Sequence, residues 1–147
     1  MRNERGITLI ALVVTIVVLL ILAGVTITYA LGSNGLFTNA QKAELNSELG
    51  NLRDYASLAK FDVLAKYSED SKAFMNEEGT AEDPAKIVAV VKGNFPTDYV
   101  IEPVETLSAT AGTLAGKVQV TLKSKNNPDG HTKAIIDFAD IKNITTE

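Results

Sequence analysis

Few residues in this 147-residue chain combine a reactive side chain with the spacing that catalysis requires. His131 is the single histidine, and Ser124 and Asp129 lie near it in the sequence. A general base also needs a nucleophile and an orienting group in a recognisable arrangement, and these three residues match no such pattern. The absence of cysteine excludes a thiol nucleophile, a cysteine-ligated metal and a disulfide. We therefore expect no enzyme and no cofactor.

Oxygen-bearing side chains in the run 126–130 resemble a calcium loop only loosely. Asn126, Asn127 and Asp129 have suitable oxygens, but Pro128 interrupts them and the glutamate that this loop needs after Gly130 is missing. A plain turn is the expected structure, and we predict no metal site. A separate triplet, Asn143-Ile144-Thr145, fits the glycosylation acceptor pattern, which makes Asn143 a possible glycosylation site.

Charge is distributed unevenly along the chain. Apart from Arg2, Glu4 and Arg5, every charged residue lies at or beyond Lys42. Residues 7–31 are almost entirely Ile, Leu, Val, Ala and Thr, and as a helix they would reach about 37 Å, enough to cross a bilayer core. The two arginines predict a cytoplasmic N-terminus with the rest outside. The net charge of −4 argues against nucleic-acid binding.

This apolar run has three interpretations. A cleaved secretory signal usually has a shorter apolar region, although Thr28-Tyr29-Ala30 is an acceptable cleavage site for a secreted binding domain. A single-pass membrane-anchored ectodomain that does not polymerise also fits the length. The third interpretation rests on the N-terminal junction. There, the charged leader Met-Arg-Asn-Glu-Arg ends in Gly6, and Ile-Thr-Leu-Ile follows at once from Ile7.

This junction resembles the class III signal of type IV pilins and pseudopilins, and the segment is similar to pilin-like proteins of Gram-positive bacteria. The resemblance covers about 30 residues. It implies that prepilin peptidase cuts between Gly6 and Ile7, that the new N-terminus is methylated, and that the helix is kept. It further implies a structural subunit that polymerises through its N-terminal helix, as a homo- or hetero-polymer, into a type IV pilus-like or type II secretion pseudopilus filament. An assembly ATPase and a membrane platform would be its partners, and the membrane and then the cell surface its locations.

One position departs from the family pattern. The family usually has glutamate at the fifth mature position, where this chain has Ala11. In the family that carboxylate pairs with the amino terminus of a neighbouring subunit, and an unpaired buried ammonium is costly. Either Thr8 or backbone carbonyls bind the amine, or this is a minor subunit without that pairing. The choice between a major and a minor subunit stays open, as does the choice among adhesion, DNA uptake, secretion and motility.

Small residues also recur along one face of the apolar run. Gly24, Thr28 and Gly32 are spaced four apart, which lets helices approach closely in a bundle. The same row also fits a neutral groove that faces lipid. Both interpretations remain open from the sequence.

A second helix is predicted beyond the run. Gly32-Ser33-Asn34-Gly35 predicts a break, and Thr38 with Gln41 forms a capping-box pattern that would begin a helix of about 38–67. We expect charged residues such as Glu48 to lie mostly off its apolar face. That face consists of residues three and four apart: Leu45, Leu49, Leu52, Ala56, Ala59 and Val63.

The clearest strand signal lies near the C-terminus. Residues 117–123 alternate strictly, so Val118, Val120 and Leu122 are expected to face a core. Residues 132–138 pair back across the turn as a hairpin, and 98–104 is predicted as another strand. Residues 86–92 fit a helix or a strand. We predict a solvated loop for the acidic stretch 68–84, in which residues 71–75 also fit a short helix, and a flexible loop for 107–116.

Together these patterns predict an α+β fold, in which a long N-terminal helix packs on a small antiparallel sheet. The predicted organisation has three parts: a leader peptide at 1–6, a transmembrane or filament-core helix at 7–31, and an extracellular head at 32–147.

Overall fold

The computed structural model describes residues 4–124 and 127–147, so the predictions for Arg2 and Asn126 lie outside the described residues. The chain forms two compact units, Met1–Lys42 and Ala43–Glu147. The predicted boundary between residues 31 and 32 concerns the membrane and stays a prediction. The elements are α1 (Glu4–Leu31), α2 (Leu36–Glu69), a 3-10 helix (Ser71–Phe74), α3 (Pro84–Gly93), β1 (Ile101–Pro103), a 3-10 turn (Thr110–Gly112), β2 (Lys117–Thr121), β3 (Lys133–Asp137) and β4 (Thr145–Thr146).

The predicted break between the first two helices is confirmed. The Gly32 N–H donates to the Thr28 carbonyl at 2.9 Å, and the Gly35 N–H donates to the Gly32 carbonyl at 2.7 Å. Gly35 has no room for a side chain, because a Cβ there would lie 2.5 Å from the Ala30 carbonyl oxygen. The glycines therefore allow a tight turn that a larger residue would disrupt.

The prediction that Thr38 caps the second helix is wrong. The α2 helix begins at Leu36, so Thr38 lies inside its first turn. Its hydroxyl donates back to the Gly32 carbonyl at 3.1 Å instead of accepting from the helix backbone. The backbone is already helical there, since the Asn39 N–H donates to the Gly35 carbonyl at 3.1 Å.

The core of the second unit confirms the α+β prediction. The buried face of α2 contributes Leu45, Leu52, Ala56, Ala59 and Val63, and Leu49 is partly buried against the same core. The sheet is antiparallel in the order β1-β2-β3-β4, and it confirms the predicted hairpin. Cross-strand partners on its inner face include Val118 with Ile136 and Val120 with Ala134, all fully buried.

The region that fitted a helix or a strand is the helix α3. Asp83 decides this locally, because its carboxylate accepts from the Ala85 N–H at 2.9 Å and Pro84 occupies the first helical turn. The acidic stretch 68–84 is therefore not simply a solvated loop. Asp70 caps the 3-10 helix in the same way, and the Glu82 carboxylate accepts from the Ser108 hydroxyl at 2.7 Å.

Two further features differ from the sequence predictions. The segment 107–116 is not a loose loop, since Leu107 and Leu114 are each only 1% exposed and an antiparallel bridge joins Ser108 to Ala115. The C-terminal strand β4, which pairs with β3, was not predicted. Its backbone extends the sheet through hydrogen bonds between Lys133 and Glu147, in which each N–H donates to the other residue's carbonyl at 2.9 Å.

The core position Leu52 offers a direct stability test. Leu52→Ala is expected to lower the free energy of unfolding by about 3 kcal/mol, because it removes a fully buried side chain and leaves a cavity. The measurement is a urea titration of the full chain in detergent micelles. Leu58→Ala on the same helix is the matched control, since Leu58 is 59% exposed and its loss should cost little. Equal costs for the two variants would contradict the assigned core.

Candidate functional site

From Leu9 to Leu31, the α1 helix is apolar around its whole circumference and none of its large side chains is buried. These side chains are between 47% and 69% exposed in the isolated chain. Among the described residues, one helix is long and apolar enough to cross a membrane by length and composition, and its apolar stretch begins at Thr8. A contiguous apolar surface of this size requires lipid or another protein surface around it.

Threonines fit this apolar helix because their hydroxyls bond to its own backbone. Thr15 donates to the Leu12 carbonyl at 2.8 Å, and Thr26 donates to the Leu22 carbonyl at 2.6 Å. A hydroxyl that donates a hydrogen bond to a carbonyl one turn earlier does not need water as a partner. These residues are therefore compatible with lipid or with a dry helix bundle.

The row of small residues forms an open groove on the first unit. Its volume is about 590 Å³, and Gly24, Thr28 and Gly32 line it together with Tyr29. The Thr28 hydroxyl donates to the Gly24 carbonyl at 2.9 Å, which leaves its methyl group as the outward surface. A Cβ at Gly24 would meet nothing within 4 Å, so the isolated chain does not need glycine at this position.

The predicted processing residues lie at the start of α1. Gly6 and Ile7 belong to the first two turns of the helix, and Ala11 lies at an exposed position one turn further on. The structure places no carboxylate on α1 after Glu4, so the amine that cleavage would create finds no acidic partner there. The predicted roles of Gly6, Ile7 and Ala11 stay predictions.

Glu48 is a charged residue that sequence reasoning placed wrongly. It is only 7% exposed, on the buried face of α2 between Leu45 and Leu52. Its carboxylate accepts from the Lys123 N–H at 2.7 Å, the Ser124 N–H at 2.9 Å and the Ser124 hydroxyl at 2.6 Å. Glu48 therefore connects α2 by hydrogen bonds to the segment that follows β2. The spacing of three from Leu45 and four to Leu52 was the available signal.

The electrostatics of this cluster favour the charged carboxylate. Burial alone would raise the pKa of Glu48, but hydrogen bonds from Lys123, Ser124 and Tyr99 bring the pKa below its ordinary value. Burial and the Glu48 charge in turn raise the pKa of Tyr99 to about 12. The Lys123 ammonium lies 3.8 Å from the centre of the Tyr99 ring. Glu48 is therefore charged and Tyr99 neutral near neutral pH, which suits a structural role for this cluster.

The turn that contains His131 is also closed on itself. The Asn127 side-chain amide donates to the carbonyls of Ser124 at 2.7 Å and His131 at 2.6 Å, and its oxygen accepts from the His131 N–H at 2.9 Å. Asn127 is thus occupied in stabilising the turn. Within residues 4–124 and 127–147, no group of three or more acidic or histidine side chains is arranged to hold a metal ion.

Asn143 lies on the surface before the last strand. Its side chain is exposed, its backbone N–H donates to the Asp140 carbonyl at 3.2 Å, and Thr145 of the same triplet begins β4. Modification at Asn143 stays a prediction.

Comparison with known families identifies the N-terminal segment. Residues 1–27 match the model of the prokaryotic N-terminal methylation motif, the class III signal, which is consistent with a type IV pilin or pseudopilin. Searches of curated proteins and of solved structures gave no significant match. The motif indicates a type IV pilin-like substrate of prepilin peptidase, and with the apolar helix it indicates membrane anchoring.

Proposed function

We propose that this chain is a structural subunit of a type IV pilus-like or pseudopilus filament. The observation that carries the proposal is the methylation motif at residues 1–27, most of which lies in the helix α1, whose large side chains from Leu9 to Leu31 are all exposed. Cleavage between Gly6 and Ile7 would remove the charged leader and leave an apolar N-terminus. The membrane holds the subunit first, with its N-terminus on the cytoplasmic side, and the filament then carries it to the cell surface.

Burial supplies the physical reason for assembly. The apolar surface of α1 is stable in lipid, and helix–helix contact in a filament core keeps it away from water after the subunit leaves the bilayer. Gly24 supports this proposal, because the isolated chain has no need of glycine there and a neighbouring helix gains close approach. An assembly ATPase and a membrane platform are the proposed partners that move subunits from one environment to the other.

The second unit is proposed to be a non-catalytic head. Its least exposed carboxylate, Glu48, is fully used in backbone and hydroxyl hydrogen bonds, and Asp70 and Asp83 serve as helix caps. Side chains committed in this way support a rigid domain rather than proton transfer to a substrate.

The proposal is tested by the mass of the mature chain. Intact mass and N-terminal peptide mapping of protein from the native membrane or surface fraction should show a start at Ile7 with one added methyl group. Electron microscopy of the surface fraction should show filaments that contain the chain. A retained Met1 would indicate the plain membrane anchor, and a start at Leu31 would indicate a secreted domain. Either result would overturn the filament proposal.

A further inference from the structure

The second unit exposes a short apolar ridge on α2. The ridge consists of Leu58 and Phe61, which are 59% and 76% exposed. They are one helical turn apart and lie on the side of α2 opposite the buried face that contains Ala56 and Ala59. Phe61 is the most exposed large apolar side chain among the described residues, and nothing in the head covers it. The fold itself gains nothing from this ridge.

A separate apolar groove lies beside α3. It has a volume of about 590 Å³, with Val88 and Ala89 of the helix on one side and Pro103 and Val104 on the other. Val104 is 49% exposed, so this side of the α3 groove is open to solvent. A large apolar side chain placed in the groove would be removed from water on several sides, which is the arrangement of an interface anchor.

Charges beside the two surfaces are of opposite sign. Asp54 is exposed one turn before Leu58 on the ridge side of α2, and Lys92 lies at the rim of the α3 groove. The other charged group at that rim, Glu105, is already paired with Lys117 at 2.9 Å. Across the described part of the chain, neither Asp54 nor Lys92 has a side-chain hydrogen bond or ion pair. One carboxylate and one ammonium are thus available to a partner.

We propose that the ridge of one copy docks into the α3 groove of a second copy, with Asp54 of the first facing Lys92 of the second. The two surfaces are different parts of the same chain, so the contact is heterologous. In a pair, the first copy keeps its groove free and the second copy keeps its ridge free. Repetition of such a contact gives a closed ring where the rotation between copies closes and an open helical polymer where it does not, and the proposed filament requires the second. This inference rests on the proposed filament function. It identifies the contact between the heads of neighbouring subunits in that filament.

A second copy fits the ridge better than a lipid surface does. A helix that lies on a membrane has a broad apolar face bordered by Lys and Arg, whereas this ridge has two large apolar side chains. It is bordered by Asp54 and Asp62, and Asp62 is held by Lys66 and Asn94 at 2.9 Å each. A narrow apolar surface with acidic flanks suits a shaped protein groove that carries a lysine.

Cysteine cross-linking tests the contact directly, because the chain has no native cysteine. Full-length Phe61→Cys and Val104→Cys chains are co-produced in the native host and oxidised in the surface fraction. A disulfide dimer is expected in the mixed sample and not in either single sample, and a chain with both substitutions should give a ladder of multimers. Asp129→Cys, at an exposed turn outside both surfaces, replaces Phe61→Cys as the matched control and should give no dimer.

The charge pair provides a second measurement on the same samples. Asp54→Lys should lower the cross-linked fraction by roughly fivefold, and adding Lys92→Asp should restore it. Dimers from Phe61→Cys alone would indicate a two-fold contact between ridges and overturn the inference. Reaction of that cysteine only with membrane-permeant maleimides would indicate a lipid contact and also overturn it. Methylated filaments that give no mixed dimer would leave the proposed function standing without this contact, whereas an uncleaved chain would remove the function itself.

Discussion

Replacing Gly6 with leucine is expected to leave the leader on nearly every copy and to remove surface filaments. A peptidase that cuts after glycine must bring this residue close to its catalytic groups, and a branched side chain displaces the bond between Gly6 and Ile7. A displacement of about 1 Å costs on the order of 100-fold in rate. The measurement is the ratio of uncleaved to cleaved chain by intact mass, together with filament counts by electron microscopy.

The matched control for this variant is another glycine that tolerates a side chain. Gly93 ends α3, and a Cβ there would meet nothing within 4 Å, so Gly93→Leu should be cleaved and assembled normally. Uncleaved Gly6→Leu chain that remains in the membrane with a folded head is the expected contrast. Normal filaments from Gly6→Leu would contradict the assigned processing site and the filament proposal together.

The second large effect is expected at Glu48. Glu48→Ala should lower the free energy of unfolding by about 3 kcal/mol, because it leaves the N–H groups of Lys123 and Ser124 and the Ser124 hydroxyl without their acceptor. Glu48→Gln should cost somewhat less but still destabilise, since both carboxylate oxygens accept and an amide nitrogen would face a donor. Urea titration of the full chain in detergent micelles measures both.

The hydrogen bonds that the Glu48 carboxylate accepts also predict how the free energy of unfolding depends on pH. Its pKa is lower in the folded chain than in the unfolded chain, so its contribution is complete above the unfolded pKa, about 4.3, and is lost as the pH falls through the folded pKa. Wild-type chain should therefore lose more stability than Glu48→Gln on acidification below about pH 4. Glu44→Gln, at an exposed position one turn earlier, is the control and should follow the wild type. If the free energy of unfolding changed with pH in the same way for all three chains, the stabilising role of the Glu48 carboxylate would be refuted.

Periodic patterns made the framework of the head predictable from the sequence. The spacing of Leu45, Leu52 and Val63 and the alternation of Val118 and Val120 each report which face of one element is buried. Such patterns require only that one side of a helix or strand meets a core. The methylation motif was equally readable, because its leader, glycine and apolar run are adjacent in the chain.

Features that depend on distant partners were not predictable in this way. Glu48 was predicted to lie off the apolar face, although its spacing on the helix was a signal of burial. Its hydrogen-bond acceptor role could not be predicted, because Lys123 is 75 residues away in the sequence. Leu107 and Leu114 lie among small residues typical of a loop, and they are buried because a bridge folds that loop onto the core. β4 is two residues long, too short for any alternation to show.

The arrangement of the core means that α2 is synthesised before the strands that complete the core around it. The core that contains the apolar face of α2 is completed by β2 and β3, which the ribosome delivers only after the segment from Asp70 to Gly116. At 5–20 residues per second this leaves α2 uncovered for several seconds. During that interval the nascent chain exposes the apolar surface of α1 and then that of α2. It has no disulfide that could hold a partial structure together. Until the last strands are made, the exposed apolar face of α2 is open to non-native contacts and aggregation.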